Sequence, residues 1–249
     1  MGLFFLYNTD MQKYTAVILA SRDIGEFDRL YILYTKEIGL VKAIGRGVRK
    51  QMAKLAGHLE PGTLSEVYIA RSRGMGQITS AITIENFENI RKNFGKLDEM
   101  LKILGFFARG FAEEEKDEKI FDLLAEFLTR VELLPNSKSS TLILIIEAFW
   151  WKLFDALGHR PETIKCAECG GCLKEKSEKY FSTKKGGVIC EKCSVGEKDV
   201  LKISSNQIKL LRVFLTNPLE KILKVKAGEA ELDELSRIRH NFKNIIFSV

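Results

Sequence analysis

The chain contains 249 residues, 45% of them hydrophobic, and this length can form more than one hydrophobic core. Its formal net charge of +6 favours an anionic partner without identifying one. The opening MGLFFLYNTD lacks the basic start and cleavage pattern of a signal peptide, and the longest later apolar run, residues 142–151, is too short to span a bilayer. The sequence therefore argues against a secreted or membrane-spanning protein and favours the cytoplasm.

Charge is distributed unevenly along the chain. Residues 1–80 have a net charge of +4, residues 81–163 of −4, residues 164–199 of +2 and residues 200–249 of +4. An acidic middle segment therefore separates basic ends. Net charge alone is equally compatible with a basic protein that binds no polyanion.

The first 84 residues predict β-structure. Five segments rich in β-branched and aromatic residues are bounded by glycine and proline, namely residues 13–20, 30–35, 40–46, 63–70 and 77–84. In the last segment the alternation from Ile78 to Ile84 predicts one buried face. We predict a five-stranded OB-fold barrel at residues 1–84, although an SH3-like barrel would have nearly the same pattern. Met11 is an alternative start, since regular structure begins near Lys13.

From residue 85 onwards the apolar period becomes helical. We predict an α-helical domain formed by residues 85–163 and 200–249, with a cysteine module at residues 164–199 between its two parts. The segment 140–158 is apolar nearly all round, which predicts a buried central helix with Trp150 and Trp151 in the core. The predicted fold is therefore α+β and multidomain.

All the cysteines lie within 28 residues. Two C-x2-C pairs separated by 20 residues are typical of a four-cysteine zinc site, because the short spacer directs both sulfurs at one ion. Four sulfurs close the coordination shell and exclude water, which favours structural Zn²⁺ over catalytic Zn²⁺. The predicted metal ligands are Cys166, Cys169, Cys190 and Cys193.

Cys172 leaves open which two cysteines form the first ligand pair, because Cys169 and Cys172 also form a C-x2-C pair. We favour Cys166 with Cys169, since Gly170 follows and permits a positive φ. An iron–sulfur site and a redox C-x-x-C are alternatives, but the x3-Cys-Pro continuation and the βαβ context are missing. We expect a small hairpin, turning at Gly186 and Gly187, to close the second pair onto the first.

A basic segment predicts nucleic-acid binding. Residues 38–59 carry five cations and no carboxylate, which suits a phosphate backbone. Tyr31, Tyr34 and Tyr68 are candidates for stacking on bases. The alternative is a solvated loop beside core tyrosines. The candidate DNA-binding residues are Arg22, Lys42, Arg46, Arg49, Lys50, Lys54, Arg71 and Arg73.

No catalytic motif is present in the sequence. GRGVRK lacks the glycine spacing and the Ser/Thr of a P-loop, and the three histidines have no ligand spacing. No nucleophile and base are paired by spacing. The sequence therefore predicts a protein that is not an enzyme.

Four segments resemble, in order and spacing, the RecO recombination mediators of bacterial DNA repair. They are SRDIGEFDRLYILYTKEIGLVKAIGRGVRK (21–50), LEPGTLSEVYI (59–69), GHRPETIKCAEC (158–169) and GGVICEKC (186–193). The resemblance runs from about Tyr14 to the last helix. The ten additional N-terminal residues and Cys172 depart from the family pattern.

This resemblance implies an OB-fold followed by a helical domain with a zinc module. It implies a mediator, located in the cytoplasm with the nucleoid, that binds single- and double-stranded DNA and anneals complementary strands. It also implies help in loading recombinase onto strands coated by single-strand-binding protein, with RecR as a partner. The alternatives are an RNA-binding or transcription-associated OB-plus-zinc protein, a thiol or iron–sulfur oxidoreductase, and an adaptor whose acidic helices bind a basic partner.

Overall fold

The computed structural model describes residues 10–51, 53–71, 75–135 and 139–247. Its backbone forms two compact units, divided between Glu132 and Leu133. Because the helical period in the sequence begins near residue 85 and the first unit extends to Glu132, the first unit contains both the β-structure and the helices that follow it. No helix among the described residues has the length and apolar character needed to cross a membrane.

The first unit begins with a closed five-stranded barrel. Its strands are β1 (Asp10–Ile24), β2 (Asp28–Thr35), β3 (Gly39–Gly45), β4 (Leu64–Arg71) and β5 (Gly76–Glu85), and a short 3-10 helix (Ala56–Leu59) precedes β4. The strand order is β1-β2-β3-β5-β4, with β4 pairing back onto β1 and a parallel contact between β3 and β5. This Greek-key closure confirms the predicted OB-fold barrel.

Strand β1 is longer than predicted because it serves two neighbours. Residues 10–17 pair with β4, and residues 16–24 pair with β2. An irregularity at Leu19 shifts the register between these two halves. Such a bulge bends a strand, which helps one strand to close a small barrel.

The alternation predicted from Ile78 to Ile84 is wrong from Ser80 onwards. The register of β5 against β4 shifts at Thr79, a β-bulge that moves later side chains to the opposite face. As a result Ala81 is buried, whereas Ile82 (54% exposed) and Ile84 face solvent. A bulge of one residue leaves no clear mark in the sequence.

In the described part of the first unit, three helices follow the barrel, namely α1 (Glu88–Arg91), α2 (Phe94–Gly110) and α3 (Glu118–Glu132). The Asn93 side chain caps α2 by accepting a hydrogen bond from the Lys96 N–H at 3.1 Å. Helix α2 packs against β1 and β2. Tyr34 lies in this interface, with its ring centroid 5.2 Å from that of Phe107.

The second unit is built around α4 (Ser139–Ala156). A three-stranded sheet of order β7-β6-β8 contains β6 (Lys179–Ser182), β7 (Gly187–Cys190) and β8 (Val200–Lys202). The remaining helices are α5 (Glu191–Ser194), α6 (Ser205–Thr216), α7 (Leu219–Ile222) and α8 (Glu229–Ile246). A serine caps α6, since the Ser204 Oγ accepts a hydrogen bond from the Gln207 N–H at 3.1 Å.

Helix α4 is buried, and Trp150 and Trp151 are core residues as predicted. Its single acidic residue within the apolar run, Glu147, is fully buried. The Glu147 carboxylate accepts hydrogen bonds from the Ser236 hydroxyl at 2.6 Å and the Arg239 guanidinium at 2.8 Å, both on α8. Burial raises the pKa of Glu147, and the two α8 partners oppose that rise. This polar contact joins α4 to α8.

Candidate metal centre and nucleic-acid interface

Four sulfurs converge in the second unit. Each of Cys166, Cys169, Cys190 and Cys193 offers a sulfur, and all four sulfurs lie within 4.8 Å of one another. These are the four residues that the sequence predicted. No metal identity is fixed by this arrangement, but it forms a candidate metal centre.

The first cysteine pair lies in a tight turn. The Gly170 N–H donates to the Cys166 carbonyl oxygen at 2.9 Å, and the Cys166 N–H donates to the Gly171 carbonyl oxygen at 2.8 Å. Gly170 has a φ of +68°, the left-handed conformation that the sequence predicted at this position. The turn therefore directs the Cys166 and Cys169 side chains to one point.

A hairpin brings the second pair to the first. Strands β6 and β7 pair antiparallel, with Ser182 opposite Gly187, and Gly186 in the turn has a φ of +67°. The predicted hairpin and its turn are therefore confirmed. A main-chain hydrogen bond of 2.8 Å from the Ala167 N–H to the Val188 carbonyl oxygen then joins the first turn to β7.

The segment at Glu162 lies so close to β7 that Gly187 has no room for a side chain. A Cβ at this position would lie 2.5 Å from the Glu162 carbonyl oxygen. The Glu162 N–H donates a hydrogen bond to the Gly186 carbonyl oxygen, and the Glu162 carbonyl oxygen accepts one from the Val188 N–H. Its carboxylate accepts hydrogen bonds from the Ile164 and Lys165 N–H groups. These bonds, of which the one from Ile164 has the larger effect, hold the pKa of Glu162 below its usual range. The segment leading into Cys166 is thus fixed by main-chain contacts.

The thiols strongly influence one another. Although burial opposes ionisation of Cys166, hydrogen bonds from the main-chain N–H groups of Cys169 and Cys190 lower its pKa to about 6. Hydrogen bonding to Cys190, followed by burial, raises the pKa of Cys193 to about 12. Adjacent thiolates repel one another, so ionisation of Cys166 opposes ionisation of Cys193. A bound cation would offset this repulsion by stabilising all four thiolates.

Cys172 lies outside the sulfur cluster. Its side chain is exposed, and its backbone forms a single antiparallel bridge with Lys165. Of the two overlapping C-x2-C pairs, the pair that precedes Gly170 is therefore the one whose sulfurs cluster with those of Cys190 and Cys193.

Two of the predicted DNA-binding cations are paired with the same acidic segment of the first unit. Lys42 lies 2.5 Å from a Glu113 carboxylate oxygen, and Arg71 lies 2.6 Å from a Glu114 carboxylate oxygen. We call Glu113–Glu115 the acidic strap. The strap docks on β3 through a 2.9 Å hydrogen bond from the Glu114 N–H to the Leu40 carbonyl oxygen. The segment that lacks acids in the sequence therefore has acidic neighbours in space.

Arg49 has a positioning role. Its guanidinium contacts a carboxylate oxygen of Asp23 at 3.3 Å and donates to the Glu26 carbonyl oxygen at 3.0 Å. The Arg49 N–H donates to the Phe27 carbonyl oxygen at 3.0 Å, and the Gly47 N–H donates to the Asp28 carboxylate at 2.8 Å. These bonds fasten the basic loop, residues 46–51, to the β1–β2 turn, residues 25–27.

The other predicted cations remain available. Their side chains are exposed, and none has an acidic partner within ion-pair distance in the described ranges. Arg73 lies outside the described residues. We call the following residues the unpaired cations: Arg22, Arg46, Lys50 and Lys54.

The predicted stacking role is wrong for two of the three tyrosines. Tyr31 and Tyr34 are 1% and 0% exposed, so neither can present a ring face to a ligand. Tyr68 is half-buried on β4. Phe27, which sequence reasoning did not single out, is 42% exposed in the β1–β2 turn. The acids that flank it in the sequence, Glu26 and Asp28, conceal its proximity to the basic loop.

Comparison with known proteins identifies the family. Models described as Recombination protein O N terminal and Recombination protein O C terminal match residues 11–87 and 103–242. A protein of Dehalococcoides mccartyi is 34% identical over 240 residues, covering 94% of this chain and 90% of that protein. A protein of Roseiflexus sp. is 30% identical over 230 residues, covering 90% of this chain and 79% of that protein. Both relatives are named DNA repair protein RecO, and this chain belongs to the RecO family of DNA repair proteins.

Proposed function

We propose that this chain is a non-enzymatic mediator of DNA repair and recombination. It binds single- and double-stranded DNA, anneals complementary strands and helps to load recombinase onto strands coated by single-strand-binding protein. RecR and single-strand-binding protein are its proposed partners, and the cytoplasm with the nucleoid is its proposed location. The family relationship supports the repair role, and the exposed, unpaired cations on the OB barrel are the observation that supports DNA binding.

The proposed DNA contact surface lies at the basic loop and the neighbouring barrel surface. Arg46, Lys50 and Lys54 are exposed and free of carboxylates in the described part of the chain, so they suit phosphate oxygens. Arg22 precedes the β1–β2 turn and adds a fourth charge. Annealing requires the repulsion between two strands to be screened, and a basic surface does this without chemical turnover. Lys42, Arg49, Arg71 and Arg73 are proposed as secondary contacts.

We propose structural Zn²⁺ as the metal. In a tetrahedral site with bonds of about 2.3 Å the sulfurs lie about 3.8 Å apart. The four sulfurs here lie within 4.8 Å of one another, so they fit this geometry. Four thiolate ligands leave no position for a substrate or water. The metal would therefore stabilise the fold of residues 164–199 between the helical segments 85–163 and 200–249, and residues 1–84 would bind DNA.

Strand annealing, measured together with the metal content of the same sample, tests the proposal. We expect annealing of complementary strands and one zinc per chain. If the four unpaired cations contact single-stranded DNA, log K should fall against log salt with a slope of about −2.8. Affinity that does not depend on salt would refute the proposed contact surface, and iron in the sample would refute the zinc site.

A charge-reversal variant locates the surface. Arg46→Glu, Lys50→Glu and Lys54→Glu together should abolish binding of single-stranded DNA at physiological salt while leaving the melting temperature unchanged. The matched control reverses three exposed cations of the second unit, Lys209, Lys224 and Lys226, and should retain most of the affinity. Loss of binding only in the control would place the site on the C-terminal helices. Stronger binding of structured RNA without annealing would support the RNA-binding alternative.

A further inference from the structure

An exposed aromatic side chain lies among the proposed phosphate-binding cations. Phe27 is 42% exposed at the β1–β2 turn of the barrel. The Lys50 ammonium nitrogen lies 5.6 Å from the centroid of the Phe27 ring. Tyr31 and Tyr34, which were the predicted stacking residues on β2, are buried. Phe27 is therefore the aromatic residue that this part of the barrel presents beside a cation.

The turn that carries Phe27 is held in place. Strands β1 and β2 remain paired up to Ile24 and Asp28, directly beside the turn. Gly25 adopts a φ of +63°, which allows the chain to reverse. The Phe27 carbonyl oxygen accepts the Arg49 N–H, and the Asp28 carboxylate accepts the Gly47 N–H. The backbone that carries the ring is therefore fixed before a ligand arrives, which lowers the entropic cost of binding.

We infer that Phe27 is a base-stacking residue that gives the DNA-binding surface its preference for unpaired bases. Aromatic side chains within a basic groove stack on successive bases of a single strand, because every base has a π-face. An exposed phenylalanine next to Lys50 supplies this combination of a stacking face and phosphate-binding charge. The inference rests on the proposed DNA-binding function and adds the group that distinguishes single strands from duplex.

The same geometry predicts what Phe27 cannot do. Bases within a duplex already stack on one another, so a ring on a surface turn reaches their backbone only. Removal of the ring should therefore weaken binding of single strands and leave duplex binding unchanged. It should also leave the salt dependence unchanged, because that slope reports phosphate contacts and not stacking.

The experiment compares three ligands of equal length, namely a single strand, an abasic single strand and a duplex. Phe27→Ala should weaken binding of the ordinary single strand about 10-fold and leave the other two affinities unchanged. Phe27→Tyr should bind like the original protein, since it retains an aromatic face. The matched control is Phe94→Ala at the start of α2, which removes another phenylalanine, 84% exposed, and should have no effect. Melting temperatures of all variants should agree.

Two outcomes would overturn the inference alone. Unchanged affinity of Phe27→Ala for the ordinary single strand would show that the ring does not stack on bases. An equal loss on ordinary and abasic strands would show that the ring merely positions Lys50. If the original protein binds none of the three ligands, the proposed function fails, and the inference fails with it.

Discussion

The cysteine cluster and the basic surface of the barrel differ in what fixes them. In the cluster, two short turns and one hairpin bring four sulfurs within 4.8 Å of one another. On the barrel, the predicted cations fall into different environments, because Lys42 and Arg71 pair with the acidic strap while Arg46, Lys50 and Lys54 do not. The first site is closed and determined locally, whereas the second is open and depends on distant carboxylates.

This difference shows what sequence spacing can specify. A C-x2-C pair fixes two ligands within one turn, so its chemistry is visible in four residues. The availability of a cation depends on its spatial neighbours, and Glu113 is 71 residues from Lys42 in the chain. A stretch without acids in the sequence therefore does not guarantee a surface without acids.

The largest effect is expected from breaking the closed site. Cys190→Ser should abolish stable metal binding and unfold much of the second unit, because metal-binding free energy is folding free energy at such sites. Cys172→Ser is the matched control and should retain full metal content and melting temperature, since its side chain lies outside the sulfur cluster. Elemental analysis and thermal unfolding measure both quantities. Equal loss of metal in the two variants would contradict the proposed ligand set.

Substitutions at the open basic surface should change the affinity for DNA and leave the stability of the protein unchanged. Arg46→Gln with Lys50→Gln removes two unpaired cations and should weaken single-strand binding about 10-fold at moderate salt, reducing the salt slope by about 1.4. The matched variant, Lys42→Gln with Arg71→Gln, removes two cations already paired with the strap and should change the slope much less. Titrations of a labelled single strand at several salt concentrations give these slopes. Equal changes of the salt slope in the two variants would show that paired and unpaired cations contribute equally to DNA binding.

The sequence specified the architecture well where local patterns were sufficient. Strand periodicity and turn glycines predicted the barrel and the hairpin. The positive φ at Gly170 followed from its position after a cysteine pair. In each case, the residues that determine the structure lie within a few positions of one another.

Longer-range features escaped prediction for physical reasons. The bulge at Thr79 depends on how β5 meets β4, so the exposure of Ile82 and Ile84 was missed. The burial of Tyr34 depends on α2, which packs over β2. Phe27 was overlooked because two acids flank it in the chain, although Lys50 lies over its ring in the fold.

A smaller effect tests how strongly the turn geometry supports the closed site. Gly170→Ala should destabilise the metal-bound protein by about 1 kcal/mol, because a side chain at a φ of +68° is strained. The added Cβ meets no atom within 4 Å, so the backbone strain is the whole effect. Gly57→Ala is the matched control, with equally open space and without a left-handed φ. Thermal unfolding of both variants measures the difference, and equal stabilities would contradict a role for the left-handed turn.

The smallest expected effect has the opposite sign and concerns the acidic strap. Exposed ion pairs contribute only about 0–1 kcal/mol each, so a phosphate can compete with Glu113 and Glu114 for their cations. Glu113→Gln with Glu114→Gln should therefore strengthen single-strand binding a few-fold and steepen the salt slope by up to about 1.4, as Lys42 and Arg71 become available. Glu115→Gln is the control, because it removes one charge from the same strap and no basic partner of Glu115 is seen among the described residues. The salt slope of this variant should stay unchanged. Equal slopes for all three proteins would mean that Lys42 and Arg71 face no phosphate, which would confine the DNA contact to the unpaired cations and the β1–β2 turn.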